Sequence, residues 1–379
     1  MNPTIPKVSL ILPAYNHLRY LPLAVETALR QTVDNFELII VNDGSTDGTR
    51  EWLDALLDPR VRVIHQDNRG PAEAINAGIR ASRGEYLTWI SADNWCAPYF
   101  VEALAAALDA DPSCVMAYSP FYMIDAGDRI VGIRFDNLLL LRELVTNRPR
   151  GLAGFMYRKS MHDTLGLYEG WALDTLMWAR MMEEHSAVFV LEPTYYYRFH
   201  DERATVTQAP RVTEAVAKIT SGFLARHPDP GADAALARLY PGLAKAPQLA
   251  TQARADFAGL LAQCGNSRAA LDLIAATLRS AGADELLRPL VNAVALCRLT
   301  GEEPAGFVAA ALAGNATLPV ASAEAAVDVV DALAVMSGGG RADLLRLEQG
   351  SLLTALERPK VFSYTAWKHD PSRVPVRGA

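Results

Sequence analysis

No apolar run in the 379-residue sequence approaches the ~20 residues that a membrane-crossing helix needs. Cysteine is scarce. Cys96, Cys114, Cys264 and Cys297 are widely spaced, which suits neither a zinc site nor a disulfide framework and implies reduced thiols. Positive charge is not in excess: 36 Lys and Arg against 43 Asp and Glu leave a net charge of −7, the wrong sign for a nucleic-acid binder. Met1 to Lys7 lack the basic and apolar regions of a signal peptide. These absences together lead to the expectation of a cytoplasmic protein, whose only membrane association would be peripheral, at the inner face.

Half of the residues are apolar and 21% are charged, an ordinary globular composition at a length that suits about two domains. Short apolar runs at Val8–Leu12, Phe36–Val41, Val61–His65 and Tyr86–Ile90 read as buried strands. Between them, 20–30, 49–57 and 71–82 have helical spacing, with Pro71 in a first turn. This rhythm means βαβ units and a mostly parallel sheet, with the carboxyl ends of the strands along one edge. Further on, 98–109 reads as a helix and 114–118 as a strand. Residues 121–147 read as a loop-rich insertion. The pattern resumes with a strand at 151–157, a helix at 174–184 and strands at 187–191 and 194–199. After about Gln208 the chain is rich in Ala and Leu, with helical stretches only. Gly265 and Gly301 sit in similar surroundings 36 residues apart, near the period of a helix–turn–helix repeat of the tetratricopeptide kind, although an irregular bundle fits as well. The expected organisation is therefore an α/β domain at 1–208 (halves at about 1–118 and 119–208), an all-α domain at 209–358, and a tail at 359–379.

The stretch that organises the first domain is Leu87 to Asn94, a strand ending in a lone carboxylate, Asp93. Ligands of open α/β sheets bind beyond the carboxyl ends of the strands. A carboxylate there can hold Mg²⁺ or Mn²⁺, which takes only one or two protein carboxylates and otherwise water and phosphate oxygens. Two earlier strands end similarly, in Pro13-Ala14-Tyr15-Asn16 and in Asp43-Gly44-Ser45-Thr46-Asp47. Asp43 can accept hydrogen bonds from a nucleotide, and Tyr15 can cover a base or a ribose. The structural alternative is that Asp43 and Asp47 shape a turn and Asp93 caps a helix.

In order, these motifs resemble the family 2 glycosyltransferases of GT-A fold. Val8–Asn16 and Val41–Asp47 look like the opening of that family, Asn68-Arg69-Gly70 with Ala74–Gly78 like its next motif, and Ser91-Ala92-Asp93-Asn94 like its acidic metal motif. The resemblance spans about Lys7 to Arg203. It implies a GT-A Rossmann-like sheet flanked by helices and a nucleotide-sugar donor, a UDP-sugar first, lying along Pro13, Ala14, Tyr15, Asn16, Asp43, Arg69, Ser91 and Ala92. It implies Mn²⁺ or Mg²⁺ on Asp93, with His200 completing the metal shell and Arg198 offsetting phosphate charge. It also implies that Asp174 is the base of an inverting transfer, where an N-cap is the structural alternative. Trp171 is a candidate for stacking on the acceptor, and Trp89 and Trp178 are assigned to the core. Where the family commonly carries acidic residues this chain has Ser91 and Leu173.

The expected function is transfer of one sugar to a hydroxyl of a glycan, a lipid-linked or a protein acceptor. The helical domain would serve a homo-oligomer contact or a protein partner. From a different class comes the alternative of a non-catalytic nucleotide-sugar or glycan-binding protein, in which Ser91 and Leu173 record lost chemistry. A nucleotidyltransferase would need a Gly-rich loop where Pro13–Asn16 stand, and a processive synthase would need membrane helices.

Overall fold

The computed structural model describes residues 5–134, 153–170, 173–200, 250–263, 267–282, 287–313 and 360–368, with isolated positions between 211 and 239. The chain divides into two units: residues 1–144, 148–216 and 359–379, and residues 145–147 with 217–358.

The first unit begins as the apolar runs require. Strands β1 (Val8–Ala14), β2 (Phe36–Asp43), β3 (Val61–Gln66) and β4 (Tyr86–Trp89) alternate with helices α1 (Leu21–Leu29), α2 (Thr49–Asp54) and α3 (Pro71–Ala81). Every residue of β2, and all of β1 except Pro13, is buried, which is why both read as continuous apolar runs instead of alternating ones. There follow β5 (Trp95–Cys96), α4 (Phe100–Ala110), β6 (Cys114–Ser119), β7 (Phe121–Ile124), β8 (Ile130–Arg134) and β9 (Gly154–Arg158). Then come α5 (Met161–Leu165), α6 (Leu173–Met182), β10 (Ser186–Val190) and β11 (Tyr195–Arg198).

The second unit contributes α7 (Ala250–Gln263), α8 (Ser267–Ser280), α9 (Leu287–Thr300) and α10 (Pro304–Leu312). Each of these helices packs on the next, and α7 also packs on α9 and α8 on α10. Gly301, at φ +82°, follows α9, and Glu303 caps α10 by accepting from the N–H groups of Ala305 and Gly306. Gly265 lies outside the described residues.

The chain then re-enters the first unit with β12 (Lys360–Phe362) and α11 (Tyr364–Lys368). The main sheet runs β12-β10-β6-β9-β4-β1-β2-β3. It is parallel except at β9, which is antiparallel to both β4 and β6. A smaller sheet runs β5-β11-β7-β8. Two sequence expectations change here. The segment after Phe121 starts as the antiparallel pair β7–β8 instead of a loop, and 135–147 lie outside the described residues. Lys360–Phe362, read as tail, pairs in parallel with Val188–Val190 at the edge of the main sheet. Among the described residues no helix is long and apolar enough to cross a membrane.

Candidate active site

Strands β2, β1 and β4 are parallel neighbours in register, with Ala14 beside Asn42 and Ile11 beside Trp89. The segments that follow them therefore share one edge of the sheet. The first two are laced together: Asn16 N–H donates to Ser45 Oγ at 3.0 Å, and Asn16 Oδ1 accepts from Thr46 N–H at 2.8 Å. Asn16 holds φ +53° to do this. Tyr15 is 46% exposed at this edge, whereas Ala14 and Ala92 are buried and Pro13 and Ser91 half-buried.

Asp43 is buried and its carboxylate is engaged. Oδ1 accepts from Gln66 Nε2 at 2.7 Å and Arg69 N–H at 2.9 Å, and Oδ2 from Gly70 N–H at 2.9 Å. It thus fixes the Asn68-Arg69-Gly70 loop and leaves the Arg69 side chain exposed. The next residue must be glycine: Gly44 has φ +74°, and a Cβ there would lie 2.7 Å from the main-chain nitrogen of Asn68. Asp43 therefore does shape this turn, and a carboxylate oxygen with two lone pairs keeps acceptor capacity beyond these contacts.

Asp93 follows β4 in a tight turn, closed by Asn94 N–H donating to the main-chain oxygen of Ser91 at 3.1 Å. Its Oδ2 lies 2.9 Å from Nε2 of His200, which follows β11, and both side chains are buried. Asp93 Oδ1 and His200 Nδ1 are also buried and have no hydrogen-bond partner among the described residues. Such groups cost about 1–3 kcal/mol each when left unsatisfied. Two ligands of an octahedral cation at about 2.1 Å stand about 3.0 Å apart when adjacent, close to the separation found. No third His, Cys, Asp or Glu joins them in a metal-binding group among the described residues.

Sequence reasoning placed Asp93 and His200 in one shell but missed what surrounds them. The ring of His200 lies 6.3 Å from that of His17, edge to face, and 5.4 Å from that of Tyr20. Nothing local marks His17 or Tyr20, because they precede α1 and meet His200 only through the fold. Arg198, expected to offset phosphate charge, instead spends its guanidinium inside the protein on Asp93, Asp125 and Asp128.

Asp174 stands in the first turn of α6, with Oδ1 accepting from the N–H of Thr175 at 2.7 Å and from its hydroxyl at 3.3 Å. Burial pushes its carboxyl above the usual aspartate range, and the Thr175 hydrogen bonds oppose this without cancelling it. The segment before it is anchored at Tyr168. The side-chain amide of Asn76 on α3 bonds both the N–H and the C=O of Tyr168, and the Tyr168 hydroxyl donates to that of Tyr157 at 3.2 Å. Trp178, on the same helix as Asp174, is core as expected, and Trp89 is half-buried. Trp171 lies outside the described residues.

The mostly parallel α/β sheet of the first unit, flanked by helices and with a carboxylate beyond β4, is of the GT-A class of fold that goes with the family match below. Residues 9–165 match the family model described as glycosyl transferase family 2. The chain is similar to EpsH of Bacillus subtilis, a glycosyltransferase by name, at 29% identity over 211 residues, covering 52% of this chain and 61% of EpsH. It is 44% identical over 100 residues to the glycosyltransferase GlyG of Streptococcus pneumoniae, covering 26% of this chain and 33% of GlyG. The chain thus spans less than two thirds of the length of either relative. Among solved structures it is similar to S. aureus TarS 1–349 in complex with UDP-GlcNAc, with 14% identity, coverage of 88% and 92% of the two chains, and a TM-score of 0.47.

Proposed function

We propose that this protein is an inverting glycosyltransferase that moves a single sugar from a nucleoside-diphosphate sugar to an acceptor hydroxyl with the help of Mn²⁺ or Mg²⁺. The observation that carries this reading is the buried pair Asp93–His200, with its two unpartnered polar atoms, at the tip of β4 in a family 2 domain. Asp93 and His200 would hold the cation. When bound, the cation supplies Lewis acidity to the departing diphosphate. Pro13, Ala14, Tyr15, Asn16, Arg69, Ser91 and Ala92 would line the nucleotide, with Asp43 acting mainly by fixing the Arg69 loop. Arg69 is exposed, on a loop braced at its main chain, and would reach an anion of the donor.

Asp174 would accept the proton of the acceptor hydroxyl as oxygen attacks the anomeric carbon from the face opposite the diphosphate. A carboxylate with a raised pKa is the better base, because proton transfer is most effective when that value approaches the working pH. Trp171 remains the candidate platform for the acceptor.

The test follows nucleotide release and product configuration. Each of UDP-, GDP- and dTDP-sugars is incubated with the protein and Mn²⁺, and the anomer formed first is read by proton NMR. Turnover of an α-linked donor to a β-configured product supports the reading. Retained configuration, or turnover unaffected by Asp174→Asn, would sink it.

A further inference from the structure

The network behind the Asp93–His200 pair contains a buried charge that the proposed chemistry does not use. Arg198 is 2% exposed. Its Nε donates to the main-chain oxygen of Asp93 at 2.8 Å, its Nη1 to the main-chain oxygen of Asp125 at 3.2 Å, and its Nη2 to Oδ1 of Asp128 at 2.6 Å. The guanidinium also covers the ring of Tyr20, 4.7 Å from its centre. Through its main-chain N–H, Arg198 donates to Oδ1 of Asn94 at 2.8 Å.

These bonds join three pieces of chain that are distant in sequence. One is the turn that carries Asp93, one is the end of β11 that carries His200 two residues later, and one is the β7–β8 turn. Asp128 holds φ +66° in that last turn, a conformation that disfavours a residue with a Cβ. The turn is braced independently by Asp125, whose carboxylate accepts from the N–H groups of Gly127 and Arg129 and from Arg129 Nε. Asp128 is thereby held where it can meet Arg198, and it supplies the one carboxylate paired with that guanidinium among the described residues.

We infer that Arg198, held by Asp128, is a positioning residue that sets the spacing of Asp93 and His200 and so their affinity for a divalent cation. The inference rests on the cation reading above. Asp93 and His200 follow different strands, β4 and β11, so their 2.9 Å approach depends on what fixes the β4 turn against the end of β11. The β5–β11 ladder and the Ser91 N–H bond to the Tyr195 hydroxyl hold the two segments side by side, and the Arg198 guanidinium and Asn94 bridge them at the residues next to the pair itself. Loss of Asp128 removes the partner that orients the guanidinium and leaves its positive charge uncompensated beside a cation site. Both effects weaken cation binding.

The experiment titrates the full chain with Mn²⁺, reading free Mn²⁺ by EPR, at a temperature where each variant is folded by circular dichroism. Asp128→Ala is expected to weaken binding about 10–100-fold, the range for residues that orient metal ligands. Arg129→Ala loosens the same turn without touching Arg198 and is expected to bind as the wild type does. Asp93→Asn should abolish binding. Equal affinities for Asp128→Ala and wild type, or an equal loss in Arg129→Ala, would overturn the inference. If the wild type binds no Mn²⁺, the cation reading fails, and a crystal structure of Asp128→Ala decides the positioning role alone. Separation of Asp93 Oδ2 from His200 Nε2 beyond hydrogen-bond distance supports it, and an unchanged 2.9 Å contradicts it.

Discussion

Asn76 and Tyr168, 92 residues apart in sequence, are joined by two hydrogen bonds at 2.9 and 3.0 Å, in which one side-chain amide meets both polar groups of one main-chain residue. Both residues are buried. Asn76 lies on α3 in the motif that follows Asn68-Arg69-Gly70, and Tyr168 precedes the helix of Asp174. One amide thus ties α3 to the segment that leads to the proposed base.

Asn76→Ala leaves the N–H and the C=O of Tyr168 buried without their partner. At about 1–3 kcal/mol for each unsatisfied group, the loss of stability should be about 3 kcal/mol in urea unfolding. Asn76→Asp keeps the acceptor but sets an oxygen against the Tyr168 carbonyl, so it should not restore stability. A wild-type midpoint in either variant would show that the clamp contributes nothing.

The raised carboxyl of Asp174 carries a pH signature. A general base must be ionised, so kcat/KM should fall as pH drops through its pKa, at a pH above the ~3.9 of an ordinary aspartate. Asp174→Asn should cost about 10²–10⁴ in kcat, the worth of a positioned base, and should lose that acid limb while donor affinity stays within a few-fold. Steady-state kinetics between pH 4 and 8 tests this. A variant that keeps both its rate and its limb would assign the base elsewhere.

Much of this arrangement is legible in the chain itself, and the limits have physical causes. Strands β1, β2 and β4 announce themselves because both of their faces are buried and their tips turn abruptly polar. Strand β5 has two residues and β12 three, too few for any period to show. Strand β8 is an edge whose Ile130, Val131 and Ile133 remain exposed, so no burial pattern marks it. The role of Arg198 could not be read at all. A Tyr-Arg-Phe-His run shows a cation at the end of a strand, and only the fold reveals that the guanidinium is taken up by two main-chain oxygens and the carboxylate of Asp128.

Far from the site, Glu37 on β2 gives the fold a predictable acid sensitivity. Burial pushes its carboxyl up, but hydrogen bonds from the Ser9 hydroxyl and from the main chain and side chain of Arg83 outweigh burial and hold it below the usual glutamate range. A carboxyl depressed in the folded state stabilises at pH above its unfolded value of ~4.3, and that contribution is lost as pH falls through the folded value. Glu37→Gln should therefore be less stable than wild type at pH 7, with the gap narrowing below pH ~4. Urea midpoints at the two pH values measure it, and a gap that widens in acid would reverse the sign.

The returning segment should be part of the first unit's stability. Glu192 accepts from the Ser363 hydroxyl and from the N–H groups of Tyr364 and Thr365, and Tyr364 stacks on Tyr99. Glu192→Ala should cost about 1 kcal/mol, as loss of a helix cap does. Removal of 359–379 should lower the melting temperature further and promote association through the bared edge of β10. Differential scanning fluorimetry with light scattering reads both, and a truncated chain that melts and scatters like the full one would contradict the docking.

The most direct measurement is the thermal shift of the full-length wild type and Asp93→Asn with a nucleotide-sugar panel, each with and without Mn²⁺. A ligand that binds only the native state adds about 2.7 kcal/mol at a hundredfold excess over Kd. One donor should raise the wild-type melting temperature only when Mn²⁺ is present, and that rise should vanish in Asp93→Asn. A donor shift of equal size without the cation, or one that survives Asp93→Asn, would contradict a cation held by Asp93 and His200 as the seat of the donor diphosphate.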